Sequence, residues 1–317
     1  MKPAFRSLLA FAVITGPAVA QEHAPAERMS SATFRSVESG GQIRPVISAS
    51  FNGHPFDMML HSMARFPGGE VQLRHAQARE FGVTELRKGP RYGIDRPGHA
   101  SDLGSQSGRI ADLAVGRTID HNAPISVFEV PQTDLGMIGI DWMRRQRVII
   151  DFSTHQATIA PTASHVAGLN KRLTATGYRA IHLLLKGGFY EVRVSVNGVA
   201  RNMTIGSASH TVIDAAFAAT AGVGHGKEAA TGFGPTGTRA LTSDASNPVV
   251  FEIDGWRSPA IERTAVNDVY GYMAMERPAN AARATGGTLG DTFLMATGAV
   301  IDLGSGTLYV RNQAPRT

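Results

Sequence analysis

His61 is the side chain best suited to chemistry in this sequence, because an imidazole titrates near neutral pH and can take or give a proton there. It is followed by Ser62, and a second small hydroxyl, Ser207, lies in a similar setting after Gly206. Neither serine sits in a Gly-x-Ser-x-Gly turn, and neither has an evident His/Asp pair to activate it, so both are expected to hydrogen-bond across a junction. Asp57 shares a strand face with His61 but lies roughly 13 Å away, too far for direct cooperation. Asp141, Asp151 and Asp302 fall where turns and strand ends are expected. His61, His99 and His210 have no His-x-x-x-His spacing that would tie two of them to one metal, and no metal or cofactor is expected.

The elements that must position these residues occur twice. Asn52-Gly53 and the apolar strand after it are echoed by Asn197-Gly198 and the residues up to Ile205. A second echo follows: Met137-Ile138-Gly139 precedes Asp151 by twelve residues from the glycine, and Thr288-Leu289-Gly290 precedes Asp302 by the same twelve. Two linked echoes in one order indicate an internal duplication. Asn-Gly favours a tight hairpin because both residues tolerate positive φ. Helices are expected at 74–81 and 214–221, closed by Gly82 and Gly222. Strands are expected at 43–51, 56–60, 110–115, 125–130, 148–152 and 157–160, and in the second half at 190–196 and 202–205.

Asn-Gly, an apolar strand, a turn, a helix ending in Gly-Val, a Gly-rich middle and an apolar-Gly segment before a closing strand resemble the retropepsin-like and pepsin-like aspartic peptidases. The resemblance runs from about Gly41 to Arg311. It implies an all-β fold of two tandem β-barrel lobes related by duplication. It also implies a flap at 92–107, including Tyr92, Gly93, Pro97, Gly98 and His99, over a cleft whose floor is His61, Ser62, Met63, Ala64, Gly206, Ser207, Ala208 and Ser209. In the family, the apolar strand runs into Asp-Thr/Ser-Gly-Ala, one acid per lobe. Counting from Asn-Gly puts His61 and Gly206 at the acid positions, while anchoring the second copy on His210-Thr211-Val212-Ile213 puts Ile205 there instead. Neither register supplies the second carboxylate. Ser62 and Ser207 keep the hydroxyl, and Met63 and Ala208 replace the glycine.

The paired carboxylates of such enzymes share one proton, and the pair acts as acid and base around a water. Without them the expected protein is a pseudoprotease that binds an extended peptide or protein segment. The alternatives are an active hydrolase using displaced acids or His61, and a structural assembly module contacting partners through the Arg144-Arg145-Gln146-Arg147 cluster or an insertion within 255–287. Those arginines otherwise read as a solvated helix face.

Lys2, Arg6, an apolar run at 8–14 and Ala18-Val19-Ala20 form a secretory signal pattern over 1–20, which predicts a periplasmic or secreted protein. No later stretch approaches the ~20 apolar residues of a membrane anchor. With Cys 0, disulfides and lipidation at the cleavage site are excluded. The formal net charge of +5 falls to +3 without Lys2 and Arg6, too weak and dispersed for nucleic acid. The expected organisation is a signal at 1–20, a flexible leader at 21–40, a first lobe at 41–161, a linker at 162–176 and a second lobe at 177–313.

Overall fold

The computed structural model describes residues 29–39, 42–96, 99–130, 133–233, 239–273 and 275–312. The signal segment, residues 21–28 and 40 of the leader, and Pro97 and Gly98 of the flap lie outside the described residues. At the centre is a six-stranded sheet in the order Ser30–Thr33, Gln156–Ile159, Ile149–Asp151, Val300–Asp302, Thr307–Arg311, Tyr178–His182. Its middle pair is antiparallel, with Ile150 opposite Ile301 and Asp151 opposite Val300. Three strands from the first half thus meet three from the second about an approximate two-fold axis.

The first lobe closes into a six-stranded barrel. Going round it, Gln42–Phe51 pairs with His54–His61, then come Gly136–Gly139, Val71–Leu73, Thr118–Val127 and Gln106–Val115, which returns to the first strand through Ser50 and Phe51. Ile110, Leu113 and Val115 of Gln106–Val115 are all buried with Phe51, Met58, Leu60 and Trp142, although the strict alternation breaks at the exposed pair 111–112. Trp142 is fully buried, and its ring N–H donates to Asp120 at 3.1 Å.

The second lobe repeats the sequence of pairings. Val199–Ile205 lies parallel to Thr285–Leu289, as His54–His61 lies parallel to Gly136–Gly139, and Val212–Asp214 lies parallel to Ala265–Asn267, as Val71–Leu73 does to Thr118–Val127. Asn52 and Asn197 have φ of 49° and 50°. Their side-chain amides donate to Phe81 O at 2.8 Å and Ala221 O at 2.9 Å, so each hairpin turn closes the last turn of its lobe's helix, His75–Glu80 or Ala215–Thr220. Asp151 Oδ1 accepts from the N–H groups of Ser153 and Thr154, and Asp302 Oδ1 accepts from those of Gly304 and Ser305, so both are turn formers.

Three expectations need correction. Residues 30–39 of the supposed flexible leader are strands: Ser30–Thr33 pairs with Gln156–Ile159, Arg35–Ser39 pairs with Gln42–Phe51, and Phe34 between them is 2 % exposed. The linker folds as a helix, Ala163–Ala175, whose first turn is capped by Thr162 accepting from His165 N–H. Its Leu169 and Leu173 pack on Ile149, Tyr178, Val300 and Tyr309, so it braces the central sheet from outside. The insertion is narrower than 255–287: Ala265–Asn267 belongs to the duplicated frame, and the extra chain is 268–284, where the first lobe has only 128–135.

The helix has little of its own to hold it. Leu173→Ala is therefore expected to lower global stability by about 2–4 kcal/mol, read as a reduced urea midpoint at an unchanged slope. A separate low-urea transition would instead show that the helix does not brace the sheet.

Candidate functional site

Where the strands His54–His61 and Val199–Ile205 end, the chain turns sharply in each lobe and the two turns interlock. Ser62 N–H donates to Ser207 Oγ at 2.9 Å, and Ser207 N–H donates to Ser62 Oγ at 2.8 Å. Each hydroxyl donates onward across the junction, Ser62 Oγ to Ile205 O at 2.8 Å and Ser207 Oγ to Leu60 O at 2.7 Å. Both serines are buried, and each hydroxyl is satisfied as donor and acceptor, which rules out a free nucleophile.

This interlock fixes the register. Ala64 N–H donates to His61 O at 3.0 Å, and Ser209 N–H donates to Gly206 O at 3.3 Å, so His61 and Gly206 occupy equivalent places and Ile205 matches Leu60. A Cβ on Gly206 would lie 2.7 Å from Thr288 Cγ2, 2.8 Å from Met63 Sδ and 2.9 Å from Ser209 Cβ. Thr288 Oγ1 donates to the same Met63 sulfur at 3.4 Å. Met63 from the first lobe thus fills the space that a side chain at 206 would need.

His61 is half-buried, and burial, with a smaller contribution from the positive charge of Arg44, lowers its pKa to about 4. Its Nδ1 accepts from Met63 N–H at 3.4 Å, as a neutral ring does. Extending the hairpin register beyond Val46 opposite Met59 puts Arg44 directly across from His61, on the same face. Arg44 is 7 % exposed. Burial lowers its pKa, offset in part by Asp291 and Tyr272. Asp291 is fully buried; burial raises its pKa, opposed by the N–H groups of Ile43 and Thr292 at 2.7 and 2.6 Å.

Above the floor, Tyr92 of the flap packs edge-on against Phe128 at 4.8 Å. Met59, Phe128, Met137 and Ala208 form a buried apolar cluster that spans both lobes, with the partly buried Tyr92 and Phe66 packed against it. Tyr272, from the short helix Val269–Tyr272, approaches Tyr92 and Arg44 closely enough to interact electrostatically with each. Arg277 anchors that segment, with one guanidinium nitrogen 2.6 Å from Asp214 Oδ2 and the other 2.9 Å from Asp268 Oδ1, and it lies 4.5 Å from the Tyr270 ring centre.

The expected floor residues thus come together, whereas His99 turns to Asp95 at 2.9 Å in an exposed part of the flap. Gly93 also lies at the base of the flap, its φ of 105° bringing the backbone against Phe128 and Glu129. Among the described residues no group of three or more His, Asp or Glu is placed to hold a metal ion. The Arg144–Arg147 cluster is engaged rather than merely solvated: Arg145 pairs with Glu70 and Asp120, and Arg144 lies 5.8 Å from the Tyr190 ring centre. Sequence reasoning missed Arg44, Asp291 and Tyr272. Arg44 could have been found by counting outward from the Asn52-Gly53 turn, which puts it opposite His61. Nothing in the sequence pointed to the other two.

Two measurements follow from this geometry. His61 is neutral in the fold and charged in the unfolded chain below about pH 6.5, so its contribution destabilises the protein progressively as pH falls from about 7 to about 4 and levels off below that. Wild type is expected to lose about 1–3 kcal/mol more than His61→Gln between pH 7.5 and 4 in urea titrations, and parallel losses would contradict this. Gly206→Asp alone is expected to destabilise by about 1–3 kcal/mol through overpacking, and Met63→Gly to relieve part of that cost. A double-mutant cycle with no coupling would show that Met63 does not occupy the space at 206.

No family model matches the chain, and no curated protein matches it. Among solved structures, basic 7S globulin from soybean and conglutin gamma, a basic 7S globulin from lupine seeds, are each 12 % identical, with 91 % of this chain and 96 % of theirs covered, at a TM-score of 0.46. A retropepsin-like aspartic protease from Rickettsia conorii is 13 % identical, with 42 % of this chain and 90 % of that one covered, at a TM-score of 0.29. Likeness at that level adds nothing to the strand topology, which carries the assignment by itself: the chain has an all-β, aspartic-peptidase-like fold of two lobes related by internal duplication.

Proposed function

We propose that this protein is a catalytically degenerate member of its fold that receives an extended peptide or protein segment in the cleft between flap and floor. The observation carrying this reading is the pair of positions placed by the Ser62–Ser207 interlock, where His61 and Gly206 stand in place of two carboxylates. A shared-proton pair cannot form from an imidazole and a glycine. Asp291 adjoins the second floor turn, its N–H donating to Ser209 O at 2.8 Å, yet its two oxygens accept backbone N–H groups, and among the described residues no hydrogen bond joins it to a second carboxylate. General acid–base help is worth roughly 10²–10⁴-fold per group, so losing both acids removes the family's chemistry.

What remains suits binding. Phe66 and Tyr92, only partly buried against the Met59–Phe128–Met137 cluster, offer aromatic faces to an apolar side chain. The flap strands Ile94–Arg96 and His99–Ala100 offer edges along which an extended backbone can pair. The secretory pattern at 1–20 places this activity in the periplasm or outside the cell.

The mature chain, incubated with a fluorogenic peptide library between pH 3 and 7, is expected to show no cleavage that pepstatin abolishes, and immobilised protein is expected to retain a subset of an unlabelled library. Pepstatin-sensitive turnover would overturn the non-catalytic reading, and retention of no peptide would overturn the binding reading.

A further inference from the structure

Arg44 is a charged group that the fold leaves incompletely satisfied. It is 7 % exposed, and its Nε has no hydrogen-bond partner. One terminal nitrogen donates to Gln42 Oε1 at 3.0 Å, a neutral acceptor on its own strand. Asp291 is near enough to act on it electrostatically, but the Asp291 oxygens are held by Ile43 and Thr292 N–H, and no ion pair with Arg44 forms among the described residues. A buried guanidinium without a hydrogen-bonded carboxylate is costly, and even the more exposed Arg74, Arg145 and Arg277 each bind two acids. Arg44 also lies beside the cleft floor, across the hairpin from neutral His61, with Tyr272 of the insertion close by and Tyr92 of the flap near Tyr272 in turn. Burial raises the pKa of both phenols, so each remains a hydrogen-bond donor at neutral pH.

We propose that Arg44 is the carboxylate-binding residue of this cleft, and that the segment received there presents an Asp or Glu side chain or a free chain terminus to its guanidinium beside the Tyr272 hydroxyl. The inference rests on the peptide-binding reading above and narrows it to acidic or C-terminal segments. A planar guanidinium fork matches a carboxylate in two parallel hydrogen bonds, which a point charge or a neutral amide cannot reproduce. The arrangement also reverses the electrostatics of the ancestral chemistry. Two acids at the floor would repel a carboxylate, whereas a neutral histidine, a glycine and a nearby arginine admit one.

The test uses the mature full-length chain labelled with ¹⁵N-arginine. The Nε–H signal of Arg44, identified by its loss in Arg44→Lys, is expected to shift saturably on titration with acetate and not with acetamide. Tyr272→Phe is expected to weaken the acetate midpoint by roughly 3- to 10-fold, which keeps the test intact if Arg44→Lys does not fold. The immobilised protein is then offered two peptide libraries, with free and with amidated C-termini. Enrichment confined to free termini identifies the chain end as the source, and enrichment of Asp or Glu in both identifies the side chain. Arg44→Lys is expected to reduce that enrichment ~10- to 100-fold. An Arg44 signal indifferent to acetate, or peptides retained without acid preference, overturns the carboxylate inference and leaves peptide binding standing. Retention of no peptide overturns the binding reading, and this inference with it.

Discussion

The exchange of hydrogen bonds between Ser62 and Ser207 is the constraint on which the cleft depends. Two sharp turns from different lobes must meet without water, and their buried polar groups need partners that the turns themselves cannot supply. The two hydroxyls solve this reciprocally: each accepts the other turn's N–H and donates to a carbonyl of the strand entering the other turn. Removing either hydroxyl orphans a buried N–H and a buried carbonyl at once, so this pair is under structural demand whether or not chemistry occurs above it. That demand accounts for the serines without any appeal to catalysis.

Packing between the lobes fills the floor at position 206. Two neighbouring departures from the family pattern, Met63 for a glycine and Gly206 for an acid, fit together as one exchange of volume, because the Met63 sulfur lies where a Cβ at 206 would go. Either departure alone would leave a clash or a void. The floor is therefore filled and neutral, with a histidine held uncharged by burial and by Arg44. A catalytic base must be free to accept a proton near the working pH. An imidazole whose Nδ1 is occupied and whose pKa has fallen to about 4 is poorly placed for that.

Much of the frame was legible because duplication repeats the residues that backbone geometry demands. Asn52-Gly53 and Asn197-Gly198 need positive φ, Gly82 and Gly222 follow helix ends, and Asp151 and Asp302 shape identical turns. The linker helix was hidden because only Leu169 and Leu173 along it are buried, too sparse a pattern to show a helical period. Residues 30–39 were hidden because edge strands are held by main-chain bonds to Gln156–Ile159 and Gln42–Phe51, and most of their side chains face outward. At the site, the missing acids were visible as identities, but their packing consequence was not, since the contact between residues 63 and 206 exists only once the lobes meet.

The insertion connects these observations. Residues 268–284 replace a short connection between strands that both lobes share, and they are tied down by Arg277 to Asp214 and Asp268 and by the Tyr270 hydroxyl, which accepts from Thr285 N–H at 2.7 Å. So heavily anchored a segment holds Tyr272 beside Arg44 and opposite the flap's Tyr92. In a symmetric enzyme of this fold the two lobes contribute alike to the floor. Here the first lobe contributes His61, Met63 and Arg44, and the second contributes a glycine and a tyrosine borne on added chain. The two lobes share the strand pairings of the frame while their contributions to the cleft differ, and the asymmetry lies in loops and side chains that can change without altering those shared pairings.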